Sequence, residues 1–302
     1  MSSSATCSTT PNPPGRRRRR LTAHVDLHCH STASDGECAP AEVARRAQAA
    51  GLAAIALTDH DTTDGVAVAA REGAALGVRV VTGCEFSVRA PWGELHLLGY
   101  FLPAADERLQ GFLRETRAAR RRRGEQIVAK LQQLGVSIAL DDVQAQAGAG
   151  ALGRPHVARA LVERGASDDI GDAFFRYLGR GRPAYVEKPL PTLTQVATLV
   201  HTVGGVVVAA HLGDRGSEGQ IRQFKEQGLD GLEVRHPSHA PSIEQRLTRI
   251  ADRLGLGISG GSDWHGDTEF GDAHAPLGGM RVPAGWLEQL ERRCATTARV
   301  RG

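Results

Sequence analysis

Residues 25–36 read VDLHCHSTASDG, and this stretch decides how the rest of the chain is read. HVDLH, 24–28, has the apolar alternation of a strand, and it ends on two imidazoles, His28 and His30, on either side of Cys29. In an extended segment residues i and i+2 point to the same side, so both rings face one spot. A Ser/Gly loop carrying Asp35 follows, and then a helix from Pro40 to Gly51 with proline in its first turn and glycine as its stop. A strand that ends on ionisable residues and passes through a loop into a helix is a βα unit with its chemistry at the strand's carboxyl end.

The same unit recurs downstream. Strands are expected at 53–58, 78–84 and 94–101, with a helix at 66–76 between the first two. From 106 to 187 the spacing turns helical, as in Leu109, Phe112 and Leu113, then Ile127, Leu131 and Leu134. The earlier rhythm returns with a helix from Thr192, strands at 205–211, 229–235 and 257–260, and helices at 242–254 and 284–298. Alternating strands and helices predict a mostly parallel sheet or barrel. The expected organisation is a leader over 1–22, a barrel from 23–105 and 188–302, and a helical insertion over 106–187.

Composition narrows the function. Lys+Arg number 37 and Asp+Glu 34, a formal charge of +3. Arg16–Arg20 hold five of the positive charges, which leaves 3 minus 5, or −2, for the rest. The body is therefore not a basic nucleic-acid domain. The Ser/Thr/Pro-rich leader has no apolar stretch after its arginines, so it reads as a solvated tail rather than an export signal. No run approaches the roughly 20 apolar residues of a spanning helix. The five cysteines, Cys7, Cys29, Cys38, Cys84 and Cys294, form no CxxC pair and read as reduced thiols of a cytoplasmic protein.

The acids and histidines collect at strand ends. His28, His30 and Asp35 close the first strand, Asp59, His60 and Asp61 the second, and Glu85 the third. His96 lies on the fourth strand, His211 ends the strand after the insertion, Glu233 and His236 end the next, and Asp263 and His265 follow the last. Catalytic residues of (β/α) barrels sit at this end. A single such residue is more often a structural hydrogen-bonding group than a ligand. So many together are a different matter, because burying them uncompensated costs several kcal/mol each. Divalent cations remove that cost, and imidazole with carboxylate and no thiolate suits Mn, Fe or Zn. Nine candidate ligands exceed the needs of one ion, so counting predicts two or three.

VDLHCHSTASDG, LTDHDT, GCEFS, HLLGYF, AHLG, GLEVRHPSH and GSDWHG resemble, in order, the motifs of the PHP (polymerase and histidinol phosphatase) family. GRPHVARALVERG and RYLGRGRPAYV resemble the branch of stand-alone nucleoside phosphatases, which includes 3′,5′-nucleoside bisphosphate phosphatases and a 5′-to-3′ exoribonuclease. The resemblance implies a distorted (β/α)7 barrel, an α/β fold of the TIM-like kind, with a helical insertion domain and a trinuclear site, Mn first and Fe or Zn as alternatives. It implies a first ion on His28, His30, Glu85 and Asp263, a second on Glu85, His96 and His211, and a third on Asp35, His60 and His265. Metal-held hydroxide would attack phosphorus in line.

Arg154 and Arg182, from the insertion, are the expected substrate-phosphate contacts, since a guanidinium fork matches phosphate geometry. His236 is a candidate acid for the leaving oxygen or a further phosphate contact, beside Asp263 and His265 in the catalytic set. His156 is open between site and structure; His24, His201, His239 and His274 are assigned to structure or solvent. Arg120–Arg123 reads as a solvated helix face. HLGDR, 211–215, has Leu212 where the family usually has proline, so a phosphate contact from this loop would fall to Arg215 or be missing.

The expected activity is removal of the 3′-phosphate from nucleoside 3′,5′-bisphosphates. The alternative is 5′-to-3′ exoribonuclease action on short 5′-phosphorylated RNA. A non-catalytic PHP module is disfavoured by the complete ligand set, and a histidinol-phosphate phosphatase by the insertion. Expected partners are a small nucleotide or short RNA, with no DNA, no membrane and no obligate protein. Deleting 1–20 is predicted to leave turnover of small nucleotides and the melting temperature unchanged, because the leader precedes the first strand and has no core-forming pattern. A large fall in either would show that the arginine run docks on the body.

Overall fold

Eight strands form one sheet in the order β7-β6-β5-β4-β3-β2-β1-β8. They are β1 (His24–Cys29), β2 (Ala54–Leu57), β3 (Arg79–Ala90), β4 (Gly93–Tyr100), β5 (Val206–Ala209), β6 (Gly231–Arg235), β7 (Gly257–Gly260) and β8 (Val282–Pro283). The structure is a computed structural model that describes residues 23–147, 152–267 and 275–301, with side chains described as far as 294. The leader with Arg16–Arg20 and Cys7, and also His274, lie outside the described residues. No helix among the described residues is long and apolar enough to cross a membrane.

The sheet curls into a nearly closed barrel. The backbone N–H of Asp263, just after β7, donates to the carbonyl of His28 on β1 at 2.9 Å. His30 N–H returns a bond to the Trp264 carbonyl at 2.9 Å. The lower part of β1 pairs instead with β8, antiparallel.

Neighbouring strands run parallel except at β4, which is antiparallel to both β3 and β5, and at β8. Only Pro91 and Trp92 join β3 to β4. A connection that short makes a hairpin, whereas a parallel crossover needs a dozen residues or more. The fourth strand therefore brings its amino end to the mouth of the barrel, placing Glu94 and His96 beside the carboxyl ends of the other strands.

Helices α1 (Pro40–Ala49), α2 (Val66–Leu76), α7 (Leu193–Thr202), α8 (Glu218–Glu226), α9 (Pro241–Leu254) and α10 (Ala284–Arg301) also belong to the βα part of the chain. Apolar residues on the outer face of the sheet, such as Phe86, Leu97, Val207 and Leu232, pack against α7, α8 and α9. Between β4 and α7 come α3 (Glu107–Gln133), α4 (Leu140–Ala147), α5 (Arg154–Glu163) and α6 (Ile170–Ala173), with a π-helical turn at Phe174–Leu178. Leu109 and Leu113 of α3 belong to the barrel's outer core. Ile127 and Leu131, about four turns or more further on, belong to a separate buried cluster with Val143, Val157, Leu161 and Leu178.

Inside the barrel the layers change from apolar to ionisable. Val25, Leu27, Val81, Leu98 and Val208 form a buried floor with Leu287 and Leu290 of α10. Tyr100 belongs to this floor, where its Oη donates to the Leu27 carbonyl at 2.8 Å and meets Ser259 Oγ at 2.9 Å. Period-two alternation then sends Glu85 of β3 and His96 of β4 into the same interior. On β1, alternation from Val25 and Leu27 would turn His28 outward. A bulge prevents this: Asp26 to Cys29 on β1 spans the same ladder as Ile55 to Leu57 on β2. The extra residue re-aims the strand end, bringing His28 and His30 inward and sending Cys29 outward among α1, α2 and Trp264.

Gly261 sits at the closing seam, where an added Cβ would lie 2.4 Å from both N and Cβ of His28. Gly261→Ala is predicted to lower stability by about 1–3 kcal/mol, as overpacking does, and to displace His28. An unchanged denaturation midpoint would contradict this description of the seam.

Candidate metal centre

Glu85 is the hub. Its carboxylate is 1% exposed, yet five imidazoles reach it. Oε1 faces His96 Nδ1 at 2.7 Å and His211 Nε2 at 3.1 Å. Oε2 faces His28 Nε2 at 3.1 Å, His30 Nε2 at 3.2 Å and His60 Nδ1 at 3.5 Å. Asp263 Oδ1 lies 3.1 Å from His28 Nε2 and 3.2 Å from His30 Nε2, so four donors converge on one point. His30, Asp35, His60 and His265 converge on a second, and His60, Glu85 and His96 on a third. Glu85 belongs to the first and the third of these sets, with His60 on the same oxygen as His28 and His30, and with His96 and His211 on the other.

Several of these atoms have no hydrogen-bond partner although they are buried: both nitrogens of His30, Asp35 Oδ1, His60 Nδ1 and His96 Nδ1. Unpaired buried polar atoms are costly, and here they all point at the same few ångströms of space. Burial alone would lower the His30 imidazole, but Asp263 and Glu85 beside it push it up to about 10. His96 is pushed up to about 9 by Glu85 and Glu94 against the same opposition from burial. Burial takes His60 down to about 3 in spite of Glu85 and Asp35. Burial would raise Glu85 and Asp263, but the imidazoles around them hold both well below the usual carboxylate range. Anionic carboxylates, imidazole nitrogens without hydrogen bonds and no thiolate are the donor set of borderline divalent cations.

The groups behind the ligands orient them. Glu233, fully buried, takes His28 Nδ1 at 3.0 Å on one oxygen and the His211 backbone N–H at 2.8 Å on the other. His265 Nδ1 meets the Asp263 carbonyl at 2.8 Å. Asp59 accepts from Ser31 N–H, Ser31 Oγ and Ser34 Oγ, each at 2.7 Å, and so fixes the loop that carries Asp35. His239 bonds the Val234 carbonyl through Nδ1 and accepts from Gly213 N–H on Nε2, bracing the turn after His211. Such partners hold a ligand's tautomer and ring angle. Asp61, His211 and Asp263 adopt left-handed φ values of 52°, 28° and 51°, strain of the kind that gathers at functional sites.

The nine sequence-derived ligand candidates, His28, His30, Asp35, His60, Glu85, His96, His211, Asp263 and His265, come together at the mouth. His236 joins them: Ser238 N–H donates to its Nδ1 at 3.1 Å, and its Nε2 lies 3.4 Å from Asp263 Oδ2. His201 pairs with Asp230, away from this cluster, at 2.7 Å. Arg215 is turned to the Leu212 and His211 carbonyls.

Beside the imidazoles is a cavity of about 190 Å³ bordered by Asp35, His60 and His96 on one side and by Arg120, Arg123, Arg154 and Lys188 on another. Arg123, Arg154 and Lys188 also border a larger cavity of about 510 Å³ with Arg89, Arg180 and Tyr185. The Arg154 guanidinium lies 5.5 Å from the Phe174 ring and 5.8 Å from the Tyr185 ring. His156, pushed down to about 4 mainly by burial, accepts from Gly153 N–H and borders the smaller cavity. Arg182 lies over Phe175 at 4.4 Å and borders neither cavity.

The expectation of a solvated face at Arg120–Arg123 is corrected for two of the four. Arg120 pairs with buried Asp61 at 2.6 Å, and Arg123, 8% exposed, donates to the Val186 carbonyl. A helix turns once every 3.6 residues, so i and i+3 share a face, and this pair faces the barrel mouth while Arg121 and Arg122 face solvent. The i, i+3 spacing was the available signal. Lys188 carried none.

Buried carboxylate and imidazole donors suited to divalent cations, with guanidinium groups beside them to take phosphate, define the class as metal-dependent phosphoester hydrolases. The PHP domain model matches residues 26–145. A 3′,5′-nucleoside bisphosphate phosphatase of Chromobacterium violaceum is 37% identical over 257 residues, 82% of this chain and 90% of that protein. A 5′-3′ exoribonuclease of Haemophilus influenzae is 33% identical over 273 residues, 89% of this chain and 93% of that one. The crystal structure of a Bifidobacterium adolescentis protein proposed to be a metal-dependent phosphoesterase superposes with a TM-score of 0.81 at 34% identity, covering 90% and 96% of the two chains. The chain belongs to the PHP family.

Asp263→Asn removes an anion from the four-donor set and is predicted to lower phosphoester hydrolysis by at least about 100-fold with the fold intact. Circular dichroism and metal analysis on the same sample check this. A folded variant with near-parental rate and metal content would refute the ligand set.

Proposed function

We propose that the chain removes the 3′-phosphate from nucleoside 3′,5′-bisphosphates, such as adenosine 3′,5′-bisphosphate, leaving the 5′-nucleotide. The observation that carries this reading is the cationic cavity alongside the ligand cluster: one place for the scissile ester and a second for another phosphate. The Chromobacterium relative, similar along most of its length, supports it. Three divalent cations, Mn first, would be held by His28, His30, Glu85 and Asp263; by Glu85, His96 and His211; and by Asp35, His60 and His265. When bound, such ions lower the pKa of coordinated water and neutralise charge developing on phosphate oxygens.

The protein's own groups do the rest. Glu233 keeps His28 in place, and Asp59 keeps the Asp35 loop in place. His236 meets Ser238 through Nδ1, 3.1 Å from its N–H and 2.8 Å from its Oγ, and turns Nε2 toward Asp263. That nitrogen would meet the leaving 3′ oxygen or a phosphate oxygen. Arg154, with Arg123 and Lys188 beside it, would take the 5′-phosphate. Residues 106–187 would act as a cap that brings Arg120, Arg123 and Arg154 over one side of the mouth.

Exoribonuclease action on short 5′-phosphorylated RNA is the second reading. It is favoured by the larger cavity, which shares Glu94, Arg123, Arg154 and Lys188 with the smaller one, and by the Haemophilus relative. Both activities break an ester on the 3′ oxygen of a nucleotide whose 5′-phosphate is recognised.

A charge-assisted phosphate contact is worth about 1.5–3 kcal/mol, so Arg154→Ala should lower kcat/KM on the bisphosphate about 10- to 150-fold. On adenosine 3′-monophosphate, which lacks the 5′-phosphate, the same variant should lose little further, because the contact is already missing. Equal losses on both substrates would remove Arg154 from 5′-phosphate recognition; Arg182→Ala, run alongside, tests the second arginine in the same way. If 5′-phosphorylated di- and trinucleotides turn over as fast as the bisphosphate, exoribonuclease is the better description.

A further inference from the structure

His96 is held from both ends. Its Nδ1 faces Glu85 Oε1 at 2.7 Å, and its Nε2 lies 3.2 Å from Glu94 Oε1. Glu94 stands two residues earlier on β4, so the pleat places it on the same face. That Glu94 oxygen also accepts from Lys188 Nζ at 2.6 Å. The same ammonium donates to Ser87 Oγ at 2.6 Å, and Ser87 is the residue directly opposite His96 in the β3–β4 ladder. A closed circuit results: strand partner, ammonium, carboxylate, imidazole. Lys188 comes from the segment after the π-helical turn, far from β4 in sequence, and its side chain is 12% exposed.

Two consequences follow from donor counting. An imidazole that presents its Nδ1 lone pair to a cation carries its proton on Nε2, and Glu94 is there to accept it. An ammonium has three donors; Ser87 and Glu94 use two, which leaves one for an anion in the cavities that Lys188 and Glu94 both border.

We infer that Glu94 and Lys188 are positioning residues. Glu94 fixes the tautomer and ring angle of His96, and Lys188 fixes Glu94 while offering its remaining donor to the substrate's 5′-phosphate. The metal half of this inference stands on the ligand geometry alone, and the phosphate half rests on the proposed function. Lys188 would then tie phosphate recognition to the ordering of one metal site.

The test pairs metal binding with kinetics. Metal-free protein carrying Glu94→Ala, Glu94→Gln or Lys188→Met is titrated with Mn²⁺ by calorimetry beside the parent. Glu94→Ala should weaken one class of Mn²⁺ site by about 10- to 100-fold and leave the others unchanged. Glu94→Gln, whose amide oxygen still accepts from Nε2, should recover most of that loss. Lys188→Met should weaken the same class less, and should cost about 10-fold more kcat/KM on adenosine 3′,5′-bisphosphate than on adenosine 3′-monophosphate. Unchanged Mn²⁺ affinity in folded Glu94→Ala would overturn the positioning role. Should Glu94→Ala fail to fold, Glu94→Gln and Lys188→Met carry the test: a loss in Glu94→Gln as large as the loss of a ligand, or no metal effect in Lys188→Met, overturns it. Equal kinetic losses on the two substrates overturn the phosphate half. A parent that hydrolyses neither nucleotide would sink the functional reading while the titration still decides the metal half.

Discussion

The structure is organised around a buried carboxylate. Glu85 is withdrawn from water at the centre of a barrel whose floor is apolar, and an anion there costs several kcal/mol unless positive charge compensates it. Five imidazoles surround it, from β1, the β2 end, β4 and the β5 end. Four strands must deliver them to distances of 2.7 to 3.5 Å. The bulge on β1, the short hairpin that reverses β4 and the left-handed turns at His211 and Asp263 are the local departures from regular structure that meet this requirement. The regular part of the fold supplies the rigid walls.

Charge of one sign then calls up the other in layers. Carboxylates and imidazoles form the inner ring, and the cations they converge on would complete it. Outside that ring the sign changes to Arg120, Arg123, Arg154 and Lys188, held by Asp61, by backbone carbonyls, by aromatic rings and by Glu94. Burying two arginines close together has a visible consequence: burial, with Arg154 next, takes Arg123 down to about 10. Arg120 and Lys188 are paired with carboxylates, while Arg123 and Arg154 are held by backbone carbonyls; cationic groups gathered beside the metal-ligand cluster suit the proposed substrate with two phosphates.

Much of this was legible in the sequence, for a physical reason. Strand ends point at one place in a barrel, so ionisable residues that recur at strand ends must meet; position gathered them, and the resemblance to the PHP family picked nine of them as ligands. The antiparallel direction of β4 was missed because period and composition are the same in either direction; only the Pro91–Trp92 connection carries it. The inward turn of Arg120 and Arg123 was missed because a run of four arginines hides a face three residues apart. Lys188 and Glu94 were invisible because their meaning lies in a tertiary contact between distant segments. Arg182, expected beside Arg154 as a phosphate contact, lies against Phe175, because residue type names a phosphate-binding group without saying where its loop points.

The central claim is that one carboxylate joins separate cation sites. Equilibrium dialysis of metal-free Glu85→Gln against Mn²⁺, with bound ions counted per chain, tests it most directly. The account predicts that the parent binds three ions, and that the variant loses the two that share Glu85 while the site of Asp35, His60 and His265 survives. A folded variant that still binds as many ions as the parent, with the same affinities, would contradict it.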